Sequence, residues 1–156
     1  MAKKEIAYFG AGCFWHPQYV FDKTPGVIET SVGYMGGAVK DPTYEMVCSD
    51  KSGHIEVTKV VFDPDKIKYE ELLKIFWEMH DPTQFNRQGP DVGTQYKSVV
   101  FYDNDKQKEI ALQSKKEIQK SIKGKRVFTE IIKAPAFYPA EAYHQKYVQR
   151  TGRNIC

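Results

Sequence analysis

The amino-acid sequence predicts an α+β fold, a two-layer sandwich in which helices cover one face of a mixed or antiparallel sheet. Three observations carry that expectation. The elements open in the order strand, helix, strand, strand, helix, strand, which is the split β-α-β arrangement of ferredoxin-like sheets. The stretch KYEELLKIFWEMH (68–80) sets Leu72, Ile75, Phe76 and Met79 at i, i+3, i+4 and i+7, the spacing of one buried helix face. The chain has 156 residues, is 41% hydrophobic and 28% charged, and carries no internal repeat or low-complexity segment. That suffices for one sizeable core but not two, so a single domain over 1–156 is expected.

Residues 4–9, KEIAYF, read as the first strand. FWHPQYVFDK (14–23) reads as a helix that TPG (24–26) terminates, so a strand runs through a glycine turn straight into a helix. VIETSVGYM (27–35) is the second strand. Glycine, proline and aspartate mark turns through 36–53, where TYEMV forms at most one helical turn. HIEVTKVVF (54–62) is the third strand, and the 68–80 helix follows it. KSVVFYD (97–103) is a fourth strand, the charged stretch 104–122 a surface helix with Ala111, Ile118 and Ile122 inward, and RVFTEII (126–132) a fifth strand. Residues 81–97, DPTQFNRQGPDVGTQYK, form a loop longer than the usual ~4–6 residues, as functional or disordered loops do.

The formal charge of +3 comes from mixed basic and acidic residues with no block of like charge, which argues against a nucleic-acid or membrane arm. The basic start MAKKEIAYFG lacks the apolar run of a signal peptide, and no stretch approaches the ~18 apolar residues of a membrane span. A cytoplasmic location is expected. Three cysteines leave one unpaired and are too widely spaced for a stapled framework, so reactive or buried thiols are expected. His16, His54, His80 and His144 do not fall at metal-ligand spacing with Cys13, Cys48 or Cys156, and no metal or cofactor is expected.

FGAGCFWHPQYVF (9–21) sets Cys13 at a glycine turn that opens a helix. In the first helical turn, its sulfur stands near unpaired N–H groups and the positive end of the dipole, both of which favour thiolate over thiol. A small buried residue between Phe9 and Phe14 is the plain alternative; the turn and the helix start favour a nucleophile. Phe14 and Trp15 point ~100° apart, so one of them leaves the core axis and can wall a site for an apolar group. Glu56 shares a strand face with Thr58, Val60 and Phe62, either at an edge or in a pocket. In a pocket, burial raises its pKa and suits it to general-acid work. Tyr44 and Tyr96 are two of ten tyrosines, and only their company gives them weight. A cysteine hydrolase using Cys13 with His54 or His144, or a peptide-binding module with an aromatic pocket, would also fit these residues.

GCFW, GVIETSVGYMGG, PTYEMVCS, GHIEV, FWEMHDPT, GTQYKS and AEAYHQKY, in this order and spacing, make the chain resemble the peptide methionine sulfoxide reductase A family over nearly its whole length. The resemblance implies a ferredoxin-like fold and attack by Cys13 on the sulfur of methionine sulfoxide, S-epimer, free or in proteins. It implies that Phe14 and Trp15 receive the ε-methyl group, and that Tyr44, Glu56 and Tyr96 surround the sulfoxide oxygen, Glu56 giving the proton. Asp91 would hold the substrate backbone and His144 would support the site. Cys156, twelve residues after His144, falls where the family's resolving cysteine falls, on a tail expected to be flexible from about 148. A Cys13–Cys156 disulfide reduced by thioredoxin would close the cycle. Cys48 fits a buried structural thiol. Where the family usually reads G-C-F-W-G-x-E, this chain has GCFWHPQ, so His16 and Gln18 replace a glycine and a glutamate.

Overall fold

The computed structural model describes residues 4–37, 40–48 and 53–152. Strand β1 (Glu5–Ala11) leads into helix α1 (Trp15–Asp22) and strand β2 (Val27–Met35); a one-turn helix α2 (Tyr44–Cys48) precedes β3 (Ile55–Phe62) and α3 (Tyr69–Met79). A small hairpin of β4 (Arg87–Gln88) and β5 (Asp91–Val92) and a 3-10 turn (Thr94–Tyr96) lead to β6 (Ser98–Tyr102) and the long helix α4 (Asp105–Ser121). The chain ends with β7 (Glu130–Lys133), β8 (Tyr138–Pro139), a second 3-10 turn (Ala142–His144) and α5 (Tyr147–Thr151).

Six strands form one sheet in the order β7-β6-β1-β3-β2-β8, antiparallel except for the parallel pair β6/β7. The chain is thus an α+β protein. Period-two alternation decides what each face buries. Ala7 and Phe9 of β1, Val60 and Phe62 of β3 and Val100 of β6 meet Phe21 of α1, Leu72, Leu73 and Phe76 of α3 and Ala111 of α4 in one apolar cluster. Fully burying each large side chain there is worth roughly 1.5–3 kcal/mol. The opposite face buries Met35, Ile55, Val57, Val99 and Phe101 under Ala134 and Phe137, so the segment before β8 serves as its cover. Gly33 makes this possible: a Cβ there would lie 2.3 Å from the carbonyl oxygen of Tyr138.

Helix α3 bears out its periodicity. Leu72 and Phe76 are fully buried, Ile75 and Met79 pack against the cluster, and Leu73 and Trp77 widen the stripe. Trp77 Nε1 donates to Ser114 Oγ at 2.7 Å, tying α3 to α4. Asn104 caps α4 by accepting from the Gln107 N–H at 2.9 Å.

One expectation needs correcting. The fifth strand begins at Glu130, not at 126, because the preceding N–H groups are claimed elsewhere: Val127 donates to Gln119 Oε1 and Phe128 to the Pro82 carbonyl, each at 2.8 Å. The long loop 81–97 is ordered by its own hairpin, and Gln88 closes it by accepting from the Asp81 N–H at 2.9 Å and donating to the Asp81 carbonyl at 2.6 Å.

Candidate active site

Cys13 lies just before the N-cap rather than in the first helical turn: Phe14 is the N-cap and Trp15 the first helical residue. The approach needs Gly12, whose φ of +89° is left-handed and whose Cβ would lie 2.8 Å from Gln88. Pro17 falls in the first turn of α1, where its missing N–H costs little. Cys13 lines a cavity of about 170 Å³ together with His16, His80, Gln88 and Asp91, so the β4–β5 hairpin forms one wall beside the sulfur. Burial pushes the Asp91 carboxyl up.

Glu56 is buried on an inner strand, not at a solvated edge. It is 1% exposed on the helix-covered face of β3. The Phe14 N–H donates to its Oε1 at 3.5 Å and Gln95 Nε2 to its Oε2 at 3.4 Å. These bonds pull its pKa down, but burial outweighs them and pushes it up to about 8. The carboxyl therefore holds a proton at neutral pH, next to the residue that follows Cys13.

Phe14, Trp15, Tyr44 and His144 form one aromatic cluster. The His144 ring lies 4.4 Å from Tyr44, 5.3 Å from Phe14 and 5.7 Å from Trp15, centroid to centroid. Trp15 also stacks on Tyr147 at 3.8 Å. Its indole Nε1 donates to His144 Nδ1 at 2.9 Å, and because an indole nitrogen only donates, the neutral imidazole carries its hydrogen on Nε2. Burial lowers the His144 pKa and keeps the ring neutral. Burial also raises both phenols, helped at Tyr44 by a hydrogen bond with Cys48 and at Tyr96 by the charges that Glu56 and Asp91 carry once ionised. Both hydroxyls thus remain protonated donors beside the acid.

The structure brings Cys13, Phe14, Trp15, Tyr44, Glu56, Asp91, Tyr96 and His144 to one end of the sheet; Cys156 lies outside the described residues. The expectation for Cys48 is overturned. Val47 fills the core position of α2, at 1% exposure, and the residue after it turns outward. Cys48 is an exposed, free thiol that accepts from Gln95 Nε2 at 3.3 Å. Gln18 is fully buried; its Oε1 accepts from the Lys146 N–H at 2.7 Å and its Nε2 donates to the Thr30 carbonyl. An ionised glutamate could not make that second bond.

Sequence reasoning missed Tyr34, Gln95 and Glu141. Gln95 and Glu141 stand inside the segments GTQYKS and AEAYHQKY, where their neighbours drew the attention. Among the described residues, no group of three or more His, Cys, Asp or Glu could hold a metal ion, and no helix is long and apolar enough to cross a membrane.

A cysteine at a helix entrance beside a proton-holding carboxyl and two phenols defines, on this α+β frame, a thiol-dependent enzyme. The family model "Peptide methionine sulfoxide reductase" matches residues 5–156, and the chain belongs to that family. Peptide methionine sulfoxide reductase MsrA of Methanothermobacter thermautotrophicus is 49% identical over 157 aligned residues, covering 100% of this chain and 93% of that protein. Methionine sulfoxide reductase A of Corynebacterium diphtheriae superposes with a TM-score of 0.93 at 35% identity, covering 98% of this chain and 77% of that one. Mxr1 from Saccharomyces cerevisiae in reduced form gives 0.93 at 33% identity, with 99% and 89% covered.

Proposed function

We propose that this chain reduces the S-epimer of methionine sulfoxide, free or in proteins, to methionine through a Cys13 sulfenic acid and a Cys13–Cys156 disulfide. The observation that carries the reading is the buried Glu56, protonated near neutrality and hydrogen-bonded to the N–H of the residue after Cys13. The Cys13 thiolate attacks the sulfoxide sulfur while Glu56 protonates its oxygen, with Tyr44 and Tyr96 donating to the same atom. The oxygen passes to Cys13 as a sulfenic acid, and methionine, two electrons richer, departs. Cys156 displaces that oxygen as water, forming the disulfide, and a thioredoxin dithiol then reduces it. Mxr1, the yeast relative, is also recorded in a complex with Trx2.

Phe14 and Trp15 take the methyl group of the substrate, Asp91 its backbone, and His144 holds the Trp15 indole. The sheet supports a ferredoxin-like core, because β6, β1, β3 and β2 lie in that order with antiparallel neighbours. We take residues 1–156 as one catalytic domain in the cytoplasm, its tail from about 148 carrying the resolving cysteine, and without a nucleic-acid or membrane partner.

Methionine released per enzyme without reductant, with thiols counted before and after, tests the cycle. Wild type releases one methionine and loses two thiols; Cys156→Ser releases one and loses one; Cys13→Ser releases none. Full thioredoxin-dependent turnover by Cys156→Ser would overturn the resolving role. Turnover without any thiol consumption would point instead to hydrolase chemistry.

A further inference from the structure

The position of α2 poses a physical problem. A five-residue helix does not hold itself together, since nucleation is unfavourable and one turn repays little of it. Yet this turn begins with Tyr44, whose phenol must stand at a fixed distance from Glu56. Two side chains from elsewhere in the chain are seen to bond it: Gln95 at its last residue, Cys48, and Glu141 at its first.

Glu141 is itself firmly placed. Its Oε2 accepts from the Tyr44 N–H and its Oε1 from the Tyr34 hydroxyl, both at 3.0 Å, and its backbone carbonyl accepts from the His144 N–H at 3.0 Å. Tyr34 is fully buried in β2 and pairs with Glu56 across the β2/β3 ladder. Gln145 locks the segment down by bonding both the N–H and the carbonyl of Val32, at 3.0 and 2.8 Å. A continuous set of bonds therefore runs from the strand pair that carries Glu56, through Tyr34 and the Glu141 carboxylate, to the backbone of Tyr44. Partial burial pushes the Glu141 carboxyl up, but the Tyr44 N–H and Tyr34 O–H outweigh it and hold the group ionised.

We infer that Glu141 is a positioning residue for sulfoxide reduction: its carboxylate fixes the Tyr44 backbone so that the phenol stands at the substrate oxygen, while its carbonyl orients the turn that carries His144. The inference rests on the reading of Tyr44 as an oxygen donor. It acts by geometry rather than charge, and the chemistry of the two partners separates these. A Tyr hydroxyl can switch from donor to acceptor, whereas a backbone N–H can only donate. In Glu141→Gln the amide oxygen can serve Tyr44 while its NH₂ donates to Tyr34, so the anchor survives loss of the charge.

The test is single-turnover methionine release in a double-mutant cycle with Tyr44→Phe. Glu141→Ala lowers kcat by about 10- to 100-fold, the scale of a misplaced catalytic group, with a smaller change in KM, while Glu141→Gln stays within about threefold of wild type. In the Tyr44→Phe background, Glu141→Ala costs less than about twofold more, because the hydroxyl it places is already gone. Glu141→Asp, one methylene too short to reach both partners, reads the same cycle should the alanine variant fail to fold. Multiplicative losses, or a glutamine variant as slow as alanine, would overturn the positioning role and leave the reading of Tyr44 intact. A Tyr44→Phe enzyme of wild-type rate would overturn both.

Discussion

The region where α3 packs on the sheet and the region around Cys13 bury similar aromatic side chains but hold them by different means. Between α3, α4 and strands β1, β3 and β6, the packed groups are mainly phenylalanine, leucine, valine and alanine, joined by Ile67, Tyr69 and Trp77, with Phe9 stacked on Phe21 and Phe76 at 5.2 Å each. At the Cys13 end, Gln18, Glu56, Gln95 and His144 are all buried. They are joined to partners far away in sequence: Trp15 to His144 across 129 residues, Lys146 to Gln18 across 128, Tyr34 to Glu141 across 107. Apolar burial is non-directional and tolerates small shifts, whereas a buried polar group left unpaired costs roughly 1–3 kcal/mol. The first region accordingly supplies stability, and the second spends some of it to hold a carboxyl protonated and two phenols aimed.

The sharpest test of that division is Glu56→Gln. It lowers the reductive step by roughly 10² to 10⁴ fold in single-turnover experiments, with binding changed far less. In wild type the rate falls as pH rises past about 8, where the acid loses its proton. Stability moves the same way. The folded pKa lies above the usual carboxyl value, so the stability contributed by the protonated form is complete below about 4.5, declines above it and is lost as pH climbs through about 8. Glu56→Gln removes this dependence and is relatively more stable than wild type at alkaline pH, which denaturant titrations at pH 6 and 9 would read. A variant within threefold of wild-type rate would remove Glu56 from the chemistry.

The converse test is Phe76→Ala, at the centre of the apolar region. Truncating a fully buried phenylalanine costs roughly 3–5 kcal/mol, read as a lower denaturation midpoint with unchanged slope. The rate per folded molecule stays within about twofold of wild type. A loss of rate without loss of stability would erase the distinction between the regions.

The same distinction explains what the sequence made legible. Helix α3 announces itself because apolar burial writes a period into neighbouring residues, and the face of Glu56 follows from counting by two along β3. Cys13 falls outside the helix because the chain enters it through Gly12, whose left-handed turn lies against the Gln88 side chain from the distant hairpin. The start of β7 and the exposure of Cys48 were misread for a related reason: each depends on which remote group claims a backbone N–H or a core slot. Glu141 leaves no local pattern, since its partners lie 97 and 107 residues away. The resemblance to a family named the candidate residues; the bonds that hold them came only with the fold.

The smallest expected effect belongs to Trp15, where the two kinds of interaction meet in one side chain. Its ring stacks on Tyr147 and, in the proposed function, walls the methyl pocket, while its N–H satisfies His144 Nδ1. Trp15→Ala loses both and weakens binding of a methyl sulfoxide by at least ~1–3 kcal/mol, blunting the preference for methyl over ethyl sulfoxides. Trp15→Phe keeps an aromatic wall but leaves Nδ1 without its donor. The imidazole can then move its hydrogen to Nδ1 or turn, which loosens the ring packed 4.4 Å from Tyr44. Trp15→Phe should therefore retain most of the methyl preference yet lose some rate. Comparing kcat/KM for methyl and ethyl sulfoxides in the two variants separates these contributions. Equal loss of selectivity in both would assign it to the Trp15–His144 bond; unchanged selectivity in Trp15→Ala would return the indole to a purely structural role beside α5.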